Sequence, residues 1–407
     1  MKKILLAAII VFLLLFAIFP KNPQKNEDKT VIKFSSWGSK TEYAIIKNLI
    51  AQYEEQNPNI KIEFIHVPED YFRKLHLLYA ARTAPDVVFL NNTYAPLYIK
   101  AGLLDDISDI IDQNEFFESA LDCFKYDGKF YAVPRDVSNL VLYVNKNIVK
   151  NPEKIKTIDD LRFYAKKYTT DKIFGLNYEK NPLFWLYYLN VYNGGILSDD
   201  GKSVIIDSAE SLKGLKLYVD MINQDKSVPH EWQMSSMTSA QMFINGKMAM
   251  YLSGRWLVPK FRETIAFDWD IIPFPQDNNS KVLTDASGWG LSASSKHKKE
   301  ALDFIKFLSS ENISKQFTAT GLITPARKKV ANSDLFLNKN AKPKNSKVFI
   351  DILKNSKSTP VNTNYTQITD ETVKTVLPYF NGTKTLDETV LNPQFKEKLT
   401  KSCNNAN

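Results

Sequence analysis

The sequence predicts an α/β protein of two domains, each built on a mostly parallel sheet flanked by helices. Three observations carry this reading. The chain has 407 residues, too many for one compact core. Its first third alternates strand-like and helix-like segments in the order β-α-β-α-β, which implies a parallel sheet covered by helices. Asp86–Leu90 (DVVFL) is a continuous β-branched and aromatic run, as in a strand buried on both faces.

The elements follow in chain order. Lys2 and Lys3 precede a wholly apolar run, Ile4 to Phe19, closed by Pro20. This pattern resembles a secretory signal peptide and is slightly short for a spanning helix. Ala17 and Phe19 do not make a small-x-small cleavage site, so residues 1–20 are read either as a peptide cut at an unusual place or as a retained anchor. No cysteine lies nearby to carry a lipid. Residues 21–30 are a polar tether. Val31–Phe34 is then a strand, broken by Ser35-Ser36-Trp37-Gly38. Tyr43, Ile46, Ile50 and Tyr53 recur on one helical face, and Ile60, Ile62 and Phe64 alternate as a second strand. A helix spans Tyr71–Ala81 before the strand Asp86–Leu90. In parallel sheets ligands sit beyond the carboxyl ends of strands. Here those ends read Ser35-Ser36-Trp37 and Asn91-Asn92-Thr93-Tyr94.

Further along, Asp127-Gly128 signals a hairpin, Leu140–Val144 a strand, and Leu212, Leu215, Val219 and Ile222 a helical stripe. Met248–Leu252 is strand-like and stops at Ser253-Gly254, with Arg255 and Trp256 directly after. Phe267–Ile272 is a strand in which Trp269 faces the core. Trp232, in a polar loop, fits either core or site. Asp285–Ser292 is extended, and Ala301, Phe304, Ile305 and Leu308 mark another helix. Beyond Lys339 the helical pattern is weaker.

Composition narrows the function. An apolar fraction of 44% suits a soluble globular protein. The net charge of +8 is spread among acidic residues, and the densest cluster, Lys296-His297-Lys298-Lys299, opens a helix as a solvated face. Nucleic acid is therefore not expected as a partner. Cys123 and Cys403 either pair in an oxidising compartment or stay as two separate thiols. His66, His76, His230 and His297 lie far apart, and no nucleophile elbow, zincin motif or phosphate-cradling glycine loop is present. No metal, cofactor or catalytic residue is expected.

Six stretches then share an order: "APDVVFLNNTYAPLYIKAGLLDDIS", "DGKFYAVPRDVSNLVLYVNKN", "NGGILSDDGKSVIIDSAESLKGLKLYVDM", "FINGKMAMYLSGRW", "ASGWGLSASS" and "GLITPAR". In that order the chain resembles the extracellular solute-binding proteins of ATP-driven importers, the family of maltose-binding and glycerol-phosphate-binding proteins. The resemblance implies a two-lobed periplasmic-binding-protein fold that closes like a hinge on a ligand in the cleft. Lobe I would be residues 31–137 and 288–338, and lobe II residues 138–287 and 339–407. The crossings would fall near Val137, Ser287 and Lys339. It also implies a monomer at the periplasmic or outer face of the cytoplasmic membrane, with importer transmembrane subunits as partners.

A sugar offers hydroxyls at its rim and C–H groups on its faces, so its site needs planar aromatics and polar groups side by side. Trp37, Tyr94, Trp185, Trp256 and Trp289 supply the first; Asn91, Asn92, Arg135, Asp136, Arg255 and Arg327 supply the second. In relatives a Gly-x-Trp turn after the "GKMAM" strand sets the indole against a sugar face, and Gly254-Arg255-Trp256 matches it. Arg327 matches the family's P-x-R position. The ligand is read as a monosaccharide, an oligosaccharide or a polyol or sugar phosphate. The rival readings are a sensor presenting itself to a membrane receptor and a secreted carbohydrate-acting enzyme using two carboxylates.

Overall fold

The computed structural model describes residues 29–276 and 280–406. The expected signal segment and nearly all of the tether lie outside the described residues. Eleven strands are described: β1 (Thr30–Ser36), β2 (Ile60–His66), β3 (Val87–Asn91), β4 (Lys125–Tyr126), β5 (Lys129–Phe130), β6 (Val133–Ser138), β7 (Val141–Asn145), β8 (Met250–Ser253), β9 (Trp269–Pro273), β10 (Val282–Leu291) and β11 (Ser356–Ser358).

The first sheet has the order β11-β10-β3-β1-β2, with β6 also paired to β10. β1 runs parallel to β2 and β3, as the β-α-β-α-β pattern requires. The connecting helix Lys40–Gln56 buries Ile46, Leu49, Ile50 and Tyr53, and the helix Tyr71–Ala80 buries Tyr71 and Leu75. β10 returns antiparallel to β3 and β6. The second sheet, β8-β7-β9, departs from the expected parallel pattern. β7 is central and both neighbours run against it, so β8 and β9 share one direction and the short helix Val258–Thr264 bridges them.

Buried apolar side chains fall into two clusters. One gathers Ile32–Val137 with Ala286–Ala326 and Leu353; the other gathers Leu140–Leu283 with most of the later buried residues from Ala331 to Cys403. The chain passes between them at Ser138-Asn139, within β10 near Asp285, and between Ala326 and Ala331. Ala331 and Phe336 thus pack with the second cluster, although the sequence reading placed residues up to 338 in the first lobe. At the crossing three segments lie together: Asp285 pairs with Ser138, Ala286 pairs with Val137, and the Val137 amide donates to the Thr324 carbonyl at 3.0 Å. Cys123 lies in the first cluster and Cys403 in the second, both free, so the pairing alternative is set aside.

Candidate functional site

The carboxyl ends of β1 and β3, the crossing segments and the start of the helix Tyr365–Phe380 line one cavity of about 1070 Å³. A hollow of about 140 Å³ adjoins it and shares Trp37, Glu42, Ser138, Asn139 and Trp256.

The first cluster supplies one wall. Trp37 follows β1, stands 47% exposed, and donates its Nε1 hydrogen to the Pro68 carbonyl at 3.1 Å. Asn91 ends β3; its Oδ1 accepts from the Tyr94 amide at 3.2 Å, which shapes the turn. Tyr94 stacks on Phe72 with centroids 3.9 Å apart and planes 12° apart, so its ring is held flat by another ring. Asn92 is buried and donates from Nδ2 to Asp285 Oδ1 at 2.7 Å.

The second cluster supplies the other wall. Asn181 caps the helix Pro182–Asn190. Pro182, Leu183, Leu186 and Tyr187 of that helix line the cavity. The Tyr187 hydroxyl accepts from the Leu140 amide at 2.8 Å and donates to the Leu283 carbonyl at 2.6 Å, tying two crossing segments together.

Trp256 belongs to neither wall alone. It is half-buried, packs against both clusters and lines both hollows. Its placement depends on Gly254. A Cβ there would lie 1.9 Å from Cζ3 and 2.3 Å from Cη2 of the indole, a distance no side chain tolerates. The glycine carbonyl in turn accepts from the Tyr143 hydroxyl at 2.8 Å. The abrupt stop at Ser253-Gly254 therefore lets the indole lie flat across the backbone as the chain leaves β8.

Arg135 is committed to its own ion pairs, while Arg255 has no carboxylate partner among the described residues. Arg135 pairs with Asp136 at 2.8 Å and Glu42 at 3.2 Å. Its guanidinium lies 5.3 Å, 5.5 Å and 5.3 Å from the ring centroids of Phe89, Trp289 and Phe317. Burial works against its charge, but Asp136 and Glu42 outweigh burial and lift its pKa. Glu42 also closes the capping box with Ser39, so a helix start and a buried cation share one carboxylate. Asp136 accepts from the Ser287 amide at 3.3 Å, which anchors β6 to β10. Arg255 is 5% exposed and lies over Phe336 at 4.1 Å and Phe349 at 5.3 Å. It contributes to the smaller hollow, and burial pulls its pKa down.

Arg135, Asp136 and Arg255 line only the smaller hollow, and three further expected site residues line neither. Trp185 is fully buried, donates to the Lys180 carbonyl at 3.1 Å and meets Phe380 edge-on; its helix faces the second core on that side. Trp289 is fully buried because the β10 register sets it between Phe89 and Val133, edge-on to Phe34. A Cβ at the neighbouring Gly288 would lie 2.4 Å from the Val133 carbonyl oxygen, so that glycine serves sheet packing. Arg327 donates to the Ser309 carbonyl at 2.6 Å, pairs with Glu115 and lies 4.6 Å from the Phe116 ring. Trp269 is core at 2% exposure, and Trp232 is 76% exposed on a surface loop.

Conversely, Asp285, Ser138, Asn139, Tyr187, Thr359 and Tyr365 line the cavity and escaped the sequence reading. The polar interruption "TDAS" inside an apolar strand was the available signal for Asp285. Among the described residues no group of His, Cys, Asp and Glu could hold a metal ion, and no helix is long and apolar enough to cross a membrane.

Comparison with known proteins fits this geometry. An ABC substrate-binding protein from Listeria monocytogenes, solved in complex with cycloalternan, is 25% identical with a TM-score of 0.81; the match covers 93% of this chain and 98% of that one. The galactooligosaccharide-binding protein of Bacillus subtilis is 24% identical over 75% of each chain. The maltotriose-binding protein of Pyrococcus abyssi is 23% identical over 58% of this chain, which spans about half (51%) of that protein's length. Residues 48–344 match the family described as bacterial extracellular solute-binding protein. That match covers well over half of the chain. A two-lobed α/β fold with its cavity between two cores is thus accounted for: the chain belongs to the bacterial extracellular solute-binding proteins, a family of substrate-binding proteins.

Proposed function

We propose that this chain captures an oligosaccharide between its lobes, on the outer side of the membrane, and delivers it to the transmembrane subunits of an ATP-driven importer. The observation that carries the reading is Trp256, an indole laid across Gly254 at the junction of both cores and facing a cavity otherwise edged by Trp37, Tyr94 and amide side chains. Planar aromatics beside amides are what sugar faces and hydroxyls require. The cavity, about 1070 Å³, sits at the large end of ordinary ligand sites and leaves room for more than one ring. The relatives named for maltotriose and galactooligosaccharides, and the one solved with cycloalternan, support the same class.

In this reading Trp256 stacks on a sugar face while Asn91, Asn92, Tyr94 and Trp37 approach from the first lobe. Arg135 and Asp136 hold the crossing segment in place. The lobes comprise the two packing clusters and turn about Ser138-Asn139, Asp285 and the stretch between Ala326 and Ala331. The protein acts as a monomer, tethered through its N-terminal segment if that is not removed.

A thermal-shift screen of maltotriose, maltotetraose, galactobiose and glucose tests this, since a ligand bound only by the folded state raises Tm. A shift of several degrees with the oligosaccharides supports the reading. No shift with any saccharide at millimolar concentration contradicts it.

A further inference from the structure

We infer that Asp285 sets the charge class of the ligand: it accepts hydrogen bonds from hydroxyls of an uncharged saccharide and turns away sugar phosphates and sugar acids. This rests on the reading of the cavity as a saccharide site and goes beyond it by excluding the acidic members of that class.

The argument is an account of charge around the cavity. Asp285 lies on β10 at the crossing, half-buried on the cavity floor. Its Oδ1 accepts from Asn92 Nδ2 at 2.7 Å. Asn92 is itself fixed, for its Oδ1 accepts from the Ala286 amide at 3.3 Å and its own amide donates to the Ala286 carbonyl at 3.2 Å. The buried Thr359 is its other hydrogen-bonding neighbour, the Thr359 amide donating to the Thr284 carbonyl at 2.9 Å. Both side-chain partners of the carboxylate, Asn92 and Thr359, are therefore neutral. Among the described residues no Lys, Arg or His lies within ion-pair distance of it. Burial raises its pKa above the usual carboxylate range, with Asn92 and Thr359 pulling the other way.

Among the described residues the lining of the cavity carries one lysine, the exposed Lys40, against the carboxylates Glu42, Glu69 and Asp285. The Arg135 guanidinium is neutralised by Asp136 and Glu42. Arg255 lines the adjoining hollow and not this cavity; it is enclosed by Phe336 and Phe349 and donates to the Ser346 hydroxyl at 3.4 Å, while its Nε has no hydrogen-bond partner among the described residues. His66 Nε2 lies 2.9 Å from the Gly38 carbonyl oxygen. Above the raised pKa of Asp285 an entering phosphate or carboxylate would meet a desolvated like charge, a penalty large enough to decide specificity. A hydroxyl would donate to an ionised acceptor, the stronger kind of hydrogen bond. Neither Arg135 nor Arg255 lines this cavity, and Asp285 is the carboxylate on its floor with no ion-pair partner among the described residues.

The test is calorimetric titration of the whole protein with two matched pairs: maltotriose with its 6-phosphate, and galactobiose with digalacturonate. The wild type is expected to bind a neutral member at least roughly a hundredfold tighter than its acidic partner. Asp285→Asn, nearly isosteric and able to keep the bond from Asn92, should narrow that gap at least roughly tenfold and weaken the neutral member. A thermal melt of the apo variant checks that it folds. An acidic member binding as tightly as its neutral partner in the wild type overturns the inference, as does an unchanged gap in a folded Asp285→Asn. If no member of either pair binds, the saccharide reading itself falls and this inference falls with it.

Discussion

One methyl group added at Gly254 is expected to cost as much affinity as deleting the whole indole of Trp256. The Cβ of Gly254→Ala would overlap the indole at 1.9 Å and 2.3 Å, against an ordinary contact of about 3.5–4.0 Å. The backbone cannot give way, because the Gly254 carbonyl is held by the buried Tyr143 hydroxyl and Ser253 is paired to Val141 in the second sheet. The indole, half-exposed to the cavity, is the part that moves. An aromatic anchor removed from the centre of a site costs about 2 kcal/mol or more, or roughly thirtyfold in Kd. Titration calorimetry with the tightest neutral saccharide should give that loss for both Gly254→Ala and Trp256→Ala. The double variant should lose no more than either single one, because both remove the same contact. Thermal melts of the apo forms separate this from loss of fold. Near-normal affinity in Gly254→Ala, or fully additive losses in the double variant, would refute the reasoning.

Three further outcomes follow from the same geometry. Arg135→Ala leaves Asp136 and Glu42 without their cation and should lower apo stability by about 3–5 kcal/mol in urea titration; a loss below about 1 kcal/mol contradicts the buried network. Trp185→Ala should cost about 3–5 kcal/mol of stability yet leave saccharide affinity within a factor of two or so of wild type when measured well below its lowered Tm, whereas Arg327→Ala should change affinity as little and stability far less, its carboxylate partner being a half-exposed Glu115. Glu179 is raised to about 7 by burial, with hydrogen bonds from Ser239 and Asn177 opposing the rise. The folded state therefore holds its proton more tightly than the unfolded chain, so this group's contribution falls as pH rises from about 4.5 to about 7. Glu179→Gln should flatten that part of the stability-against-pH curve, and an unaltered slope would contradict the assignment.

Much of the first wall was legible because it follows from strand periodicity. Once Val31–Phe34 and Asp86–Leu90 read as parallel strands, their carboxyl ends name Trp37, Asn91, Asn92 and Tyr94 without any structure, and all four line the cavity. Trp256 was legible from a different signal, a bulky residue two places after a glycine break. Trp289 carried the same surface signal, two flanking glycines, but strand register sends it into the first core. Register depends on the partner strands, which sequence does not name. Trp185 sits on a helix so uniformly apolar that periodicity cannot say which face meets the cavity. Asp285, Thr359 and Tyr365 come together only because β10 pairs with β11 and the C-terminal helices pack back on the second core. Those contacts span long separations, and local pattern holds no trace of them.

The most direct test of the central claim is a crystal structure of the full protein with the neutral oligosaccharide that raises its Tm most. A sugar ring lying against the Trp256 indole, with hydroxyls at Asn92 and Asp285, is the predicted result. A saccharide bound elsewhere on the molecule, with the cavity between the two cores holding only solvent, would contradict it.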